Sequence, residues 1–219
     1  MTPCLVFDLD DTLYLERDYV RGGFGAVGLF AEHTHGIRGL GETCWALFGQ
    51  GVRGDTFDRA LRLLGVAPDP DLVRELVAAY RAHTPDIALL ADARRCLQEA
   101  REAAFLGIVT DGPAVSQRAK IAALGTDGFV DRTIVTAELG EGFAKPDTRA
   151  FALLETVSES QGADCVYVAD NPAKDFAGPK SLGWRTVRVR RRGGLHAAVP
   201  SGPDVDRETT TLEGFGPPF

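Results

Sequence analysis

Short apolar runs alternate with longer helical stripes along the chain, and the two periods predict its elements. Cys4–Phe7 is an apolar run that ends in acids. Phe105–Val109 ends in Thr110-Asp111-Gly112-Pro113, Thr133–Val135 is shorter, and Cys165–Ala169 ends at Asp170-Asn171-Pro172. Trp184–Val189 alternates, with Trp184, Val187 and Val189 as its apolar members. Runs of this length fit strands buried on both faces of a parallel sheet. Between them, Ala93, Cys96, Leu97 and Ala100 recur at i, i+3, i+4 and i+7. Ala150, Phe151, Leu154 and Val157 keep a similar spacing after the helix-opening Pro146-Asp147. Strands alternating with helices predict βαβ units, and so an α/β fold with a doubly wound, Rossmann-like parallel sheet.

Residues 15–86 break the alternation. No strand pattern occurs there, but three helical stripes do: Val20, Phe24, Val27 and Phe30; Phe57, Leu61 and Leu64, stopped by Gly65; and Leu72, Val73, Leu76, Val77 and Tyr80, opened by Asp69-Pro70. The expected organisation is an α/β core from 1–14 and 87–219, with a small helical domain inserted at 15–86. The segment 193–219, rich in Gly, Pro and Thr, is expected to be a peripheral tail. The length of 219 residues fits this division, since it is about one and a half times a typical domain.

Composition narrows the function classes. The apolar fraction of 44% and charged fraction of 25% are ordinary for a globular protein. The net charge of −7 argues against nucleic acid and anionic membrane surfaces as partners. No run reaches the ~18 apolar residues of a membrane span, and the acidic start MTPCLVFDLDD is unlike a signal peptide. Cys4, Cys96 and Cys165 sit in apolar stretches, Cys44 lies apart from them, and no Cys-x-x-Cys pair occurs. Those three read as small buried hydrophobes, and a reducing cytoplasm is the expected compartment. Oligomeric state is not legible.

The segment Phe7-Asp8-Leu9-Asp10-Asp11-Thr12 carries the most chemistry. Side chains in a strand alternate, so Asp8 and Asp10 point the same way at the strand's carboxyl end. Ligands of open α/β sheets bind at that edge. Two carboxylates so close repel unless a cation or a shared proton compensates. Asp170 and Asp175 form a second acidic pair at another strand end. Hard oxygen ligands of this kind suit Mg²⁺. Thr110 closes its strand with a hydroxyl that could meet a phosphoryl oxygen, and Lys145 in Phe143-Ala144-Lys145-Pro146-Asp147 offers positive charge.

Taken in order, Asp8-x-Asp10-x-Thr12, Thr110, Lys145 and Asp170…Asp175 resemble the four motifs of the haloacid dehalogenase-like phosphohydrolase superfamily, over Cys4 to about Val189. Ala169 departs from the family's usual glycine before its fourth-motif acid. The resemblance implies that the insert is a helical cap. It implies that Asp8 attacks phosphorus and forms an aspartyl-phosphate, and that Asp10 serves as acid and then base. Mg²⁺ would be held by Asp8, the Asp10 backbone carbonyl and Asp170, with Asp175 as a further partner. Thr110 and Lys145 would hold phosphoryl oxygens, with Asp111 beside them at the substrate, and Thr12 would order the loop. Family members that attack carbon–halogen or carbon–phosphorus bonds generally lack an acid at the position of Asp10, so phosphate-ester cleavage is expected. The expected substrate is a small phosphorylated metabolite, of sugar phosphate or nucleoside monophosphate type, with Arg17 as a contact from the cap side. A phosphomutase uses the same motifs, and a receiver-like phosphoacceptor module is the non-enzymatic alternative.

Three other patterns are set aside. Gly23-Phe24-Gly25-Ala26-Val27-Gly28 matches a dinucleotide fingerprint but lacks the strand that must precede it. Its glycines are expected to serve close helix packing. His33 and His35 have no partner at ligand spacing and are expected in a polar turn. Arg188, Arg190, Arg191 and Arg192 are expected to form a solvated edge and loop.

Overall fold

A parallel six-stranded sheet organises the computed structural model, which describes residues 2–216. Met1 and residues 217–219, the end of the expected tail, lie outside the described residues. In chain order the first elements are β1 (Cys4–Phe7), α1 (Glu16–His35), α2 (Leu40–Gly49), α3 (Thr56–Leu63), α4 (Pro70–Ala82) and α5 (Ala91–Ala100). β2 (Phe105–Thr110), α6 (Ala114–Leu124), β3 (Arg132–Val135), α7 (Thr136–Leu139) and α8 (Arg149–Ser158) follow. The chain continues with β4 (Cys165–Ala169), α9 (Ala177–Ser181), β5 (Arg185–Val189) and β6 (Arg207–Thr209). The strand order is β3-β2-β1-β4-β5-β6, which puts β1 in the middle with β2 and β4 on either side. This is the α/β, Rossmann-like arrangement that the alternating periods predict.

Register brings the chemical residues to one edge. Phe7 pairs with Ile108 on β2 and with Val168 on β4. The residues just past these strands therefore emerge together at the carboxyl end of the sheet. On one face of the sheet Phe151 of α8 packs edge-on against Tyr167, with ring centroids 4.9 Å apart, and against Trp184 at 5.4 Å. Burying each such aromatic contributes roughly 1.5–3 kcal/mol. Among the described residues no helix is long and apolar enough to cross a membrane.

The chain divides into two compact units, one taking in residues up to Arg17 and from Ile87 onward, the other Asp18–Asp86. The second unit is wholly helical. Three helices are predicted in it and four form. The additional one, α2, buries Leu40, Cys44, Leu47 and Phe48, a stripe that three glycines at 39, 41 and 49 dilute in the sequence. The Gly-x-Gly-x-x-Gly pattern lies inside α1. A Cβ on Gly23 would come within 2.5 Å of the Tyr80 ring, and one on Gly28 within 3.1 Å of the Gly41 backbone. Two of its glycines thus permit close packing. His33 and His35 are not in a turn: they close α1, and His35 Nε2 lies 2.8 Å from Glu75.

Two expectations about the end of the chain need correction. Residues 194–216 are an integral part of the first unit: they supply β6, and Leu212 is fully buried. The arginine run is not solvated throughout. Arg188 and Arg191 are buried, where carbonyl oxygens and a few side chains meet their guanidinium groups. Arg188 donates to the carbonyls of Asp170 at 2.9 Å, and of Val199 and His196 at 2.8 Å each. Arg191 donates to the Thr12 carbonyl at 3.0 and 2.8 Å and pairs with Asp92. Both arginines fasten the C-terminal segment beneath the loops that follow β1 and β4.

Candidate active site

Asp8 leaves β1 with its amide still donating to the Val168 carbonyl at 2.8 Å, so the sheet fixes its backbone. Its carboxylate is buried and accepts from Lys145 Nζ at 2.6 Å. Lys145 Nζ also donates to the Tyr167 hydroxyl at 2.9 Å and lies 2.8 Å from Asp175 Oδ1. Close approach of α9 helps hold the lysine loop, for a Cβ on Gly178 would stand 2.4 Å from the Pro146 carbonyl oxygen. Asp170 follows β4 directly. Asp175 returns from the next turn, with Oδ2 accepting from the Asn171 amide at 2.9 Å. One carboxylate oxygen each from Asp8, Asp170 and Asp175 lie within 4.8 Å of one another, and all three residues are buried.

This cluster has more negative charge than its lysine balances. Burial pushes the Asp8 carboxyl up to about 6, opposed by Lys145 and reinforced by Asp175. Burial, then the neighbouring Asp8 and Asp175, push Asp170 up to about 9. Asp175 Oδ1 is buried and makes no aligned hydrogen bond, despite its contact with the ammonium. A donor set of hard carboxylate oxygens, under-compensated and with one oxygen unsatisfied, fits a small hard cation.

Asp10 is handled differently. Its two oxygens accept from Lys120 Nζ at 2.7 and 2.9 Å. The Tyr14 hydroxyl donates to Oδ1, and Gln117 Nε2 donates to Oδ2 at 3.3 Å. Burial raises the Asp10 carboxyl, but the Lys120 ammonium and these hydrogen bonds outweigh it and hold the group below its ordinary value. The Thr110 hydroxyl donates to Gln117 Oε1 at 3.0 Å, so Gln117 links the ends of β1 and β2. Gly112, at φ +127°, allows this: a Cβ there would sit 2.8 Å from Gln117 Nε2.

Asp111 ties loops together. It accepts from Thr136 Oγ1 at 2.8 Å, the Lys145 amide at 3.2 Å and Lys174 Nζ at 2.9 Å. Burial raises its carboxyl, but Lys145 and Lys174 bring it below the usual range. Asp11 adopts φ 51°, strained for a residue with a side chain. Its carboxylate accepts from the Glu16 and Leu195 amides at 2.9 and 2.7 Å, which compensates locally. Thr12 is buried in this loop and its carbonyl receives Arg191. Arg17 stands apart from the buried group: it is exposed on the first turn of α1, and a Cβ on Gly193 would lie 3.7 Å from its Nη1.

The structure thus gathers Asp8, Lys145, Asp170 and Asp175 into one cluster and Asp10 with Thr110 into an adjoining network. Lys120, Gln117, Tyr167 and Lys174 also belong here and were not singled out from the sequence, and Tyr14 joins them. A signal for the lysines exists: the chain has only four, against twenty arginines, and Lys120, Lys145 and Lys174 all meet site aspartates.

Residues 2–183 match the family model for haloacid dehalogenase-like hydrolases. A glyceraldehyde 3-phosphate phosphatase of Methanopyrus kandleri is 32% identical over 206 residues, covering 87% of this chain and 85% of that protein. A ribulose-1,5-bisphosphate 5-phosphatase of Halopiger xanaduensis is 30% identical, covering 85% of this chain and 84% of that protein. Among solved structures, a HAD-family hydrolase from Bacillus subtilis overlays with a TM-score of 0.70 at 18% identity, covering 97% of this chain and 96% of that one. That likeness is one of fold. The chain belongs to the haloacid dehalogenase-like hydrolases; it is an enzyme, and the relatives that it matches over most of their length are phosphatases.

Proposed function

We propose that this hydrolase removes phosphate from a small phosphorylated metabolite through a phosphorylated Asp8, with Mg²⁺ as its cation. The observation that carries the reading is the contrast between two aspartates two residues apart: Asp8 within 4.8 Å of two further carboxylates, Asp10 in its own cage of donors. Asp8, Asp170, Asp175 and the Asp10 carbonyl are the groups that would hold Mg²⁺, whose charge offsets that of the carboxylates and of the phosphoryl oxygens together. Asp8 attacks phosphorus in line and the ester oxygen leaves with a proton from Asp10. Lys145 steadies Asp8 and, with Thr110, holds equatorial oxygens. Thr110 must then turn its hydroxyl from Gln117 to the phosphoryl group. Asp10 next takes the proton of the water that attacks the phosphorylated Asp8, which releases phosphate, frees the Asp8 carboxylate and returns Asp10 to its protonated form.

The relatives act on a triose phosphate and a ketopentose bisphosphate, by their names, and a phosphoserine phosphatase of Thermus thermophilus is 32% identical over 155 residues. These point to a short, polar phosphate ester. Arg17 is the proposed contact for its non-phosphate end, and Arg17→Ala is expected to raise KM for the true substrate while leaving kcat. The reading is tested with p-nitrophenyl phosphate. Continuous release of phosphate that needs Mg²⁺, stops with EDTA and is lost in Asp8→Asn supports it. Metal-free turnover, or an active Asp8→Asn enzyme, overturns it. A single phosphorylation per chain without turnover would instead mark a receiver-like module, and transfer of phosphate to a second hydroxyl a mutase. A panel of phosphorylated metabolites then identifies the substrate.

A further inference from the structure

Lys120 is nearly as buried as Lys145, yet nothing in the chemistry above uses it. It lies on α6, whose buried face is divided: Ser116, Gln117 and Lys120 are polar, while Ile121 and Leu124 are apolar. An aliphatic side chain at 120 would fill that face without the desolvation cost of an ammonium. A buried charge kept at such cost is characteristic of functional sites.

Its partner indicates the use. All four donor contacts to Asp10 come from three side chains: Lys120 to both oxygens, Tyr14 to Oδ1 and Gln117 to Oδ2. Between them they engage both carboxylate oxygens. The Gln117 contact, at 3.3 Å, is the longest of the four. Oδ2 is therefore the oxygen best able to admit a water. A base must stand within hydrogen-bond reach of the proton it takes, and an error of about 1 Å in placing such a group costs on the order of 10²-fold in rate.

We propose that Lys120 is a positioning residue for the second half of the reaction: with Gln117 and Tyr14 it holds the Asp10 carboxylate where that group takes the proton of the water attacking phosphorylated Asp8. In that step the water oxygen bonds to phosphorus and the bond from phosphorus to the Asp8 oxygen breaks. Its electron pair returns to Asp8, and the water proton goes to Asp10. The proposal rests on the roles given above to Asp8 and Asp10.

The test uses p-nitrophenyl phosphate with Mg²⁺, because nitrophenolate leaves without a proton. Its kcat/KM therefore reports phosphorylation of Asp8 and not the later step. For Lys120→Met, kcat is expected to fall about 10–100-fold with kcat/KM unchanged. Rapid mixing should give one equivalent of nitrophenolate per site before a slow steady state, and the phosphorylated enzyme should accumulate. Lys120→Arg should recover part of kcat. A parallel fall of kcat and kcat/KM, no burst, or unchanged kcat in Lys120→Met overturns the proposal. If Lys120→Met does not fold, as judged by a thermal melt, Tyr14→Phe gives the same reading: a smaller kcat loss with a burst supports it, and a loss in kcat/KM overturns it. Asp10→Asn separates the two levels. A burst from it upholds the role of Asp10, so failure of Lys120→Met then falls on Lys120 alone. Its absence overturns the role of Asp10 and this proposal with it.

Discussion

Asp8 and Asp10 stand two residues apart on one loop and live under opposite electrostatic rules. Asp8 shares one lysine with Asp175, and Asp170 crowds the same space. Asp10 has a lysine, a phenol and an amide to itself. Burial raises both carboxyls, but only at Asp10 do local donors overcome it. Such divergence between neighbouring acids is how one site assigns different roles to the same residue type. Here it separates a cluster that calls for a cation from a carboxylate that is already neutralised within the fold.

The difference can be broken by mutation, and the largest effects should have opposite signs. Lys120→Met leaves the half-buried Asp10 with Tyr14 and Gln117 but without its ammonium, so stability should fall by about 1–3 kcal/mol. Above about pH 9, where the carboxyl is ionised, Asp170→Asn removes a buried charge repelled by Asp8 and Asp175. In EDTA it should raise the melting temperature, and with Mg²⁺ present it should lack phosphatase activity. Chemical denaturation with and without EDTA measures both. Loss of stability in Asp170→Asn under EDTA would mean that its charge is already compensated and that the contrast with Asp10 is false.

How far this contrast was legible in the sequence follows from the range of the signals. The strands, their carboxyl ends and the acids at them follow from local period and order, so Asp8, Asp10, Asp170 and Asp175 stood out. Lys145 stood out only as a member of an ordered set. Lys120 did not, because nothing local distinguishes a lysine on a helix from a solvated one; its burial depends on how α6 meets the ends of β1 and β2. Arg188 and Arg191 failed for a related reason. A basic run reads as surface, and only the fold reveals carbonyls at Asp170, Val199, His196 and Thr12 that satisfy the guanidinium groups. β6 is three residues long and has no apolar period to find. The acidic cluster was thus readable from strand ends, while the parts that hold it together were tertiary.

pH sharpens the comparison next. The Asp8 and Asp170 carboxyls are raised in the folded state, to about 6 and about 9. A raised carboxyl stabilises the fold while protonated, fully below its unfolded value near 4. That contribution is lost as pH rises through the folded values. Protein in EDTA should therefore lose stability steadily from about pH 4 to 9. Mg²⁺ binds the deprotonated ligands, so its stabilisation should grow over the same interval, toward about 2.7 kcal/mol at a hundred times Kd. Melts at pH 5 and pH 8 with and without Mg²⁺ measure the difference. A gain that is equal at both, or larger at pH 5, would remove the acidic cluster as the cation's site.

Asp92 supplies the smallest and most selective comparison, because it is paired like Asp10 but lies outside the reacting groups. It accepts from the Leu212 amide at 2.7 Å and from Thr211 Oγ1 at 2.8 Å, and it pairs with Arg191. Burial opposes its ionisation, but these donors win and bring the carboxyl down to about 2. A depressed carboxyl stabilises the fold above its unfolded value near 4, and that contribution is lost as pH falls through the folded one. Asp92→Asn should therefore cost about 1–2 kcal/mol at pH 7, and the deficit should close between about pH 4 and 2. Denaturant titrations at pH 7, 4 and 2.5 follow it. Because Asp92 fastens the C-terminal segment through Arg191 rather than touching the reacting groups, kcat at pH 7 should remain unchanged. A matching fall in kcat would mean that the segment shapes the site as well as the fold, since Arg191 also grips Thr12 in the loop after Asp10.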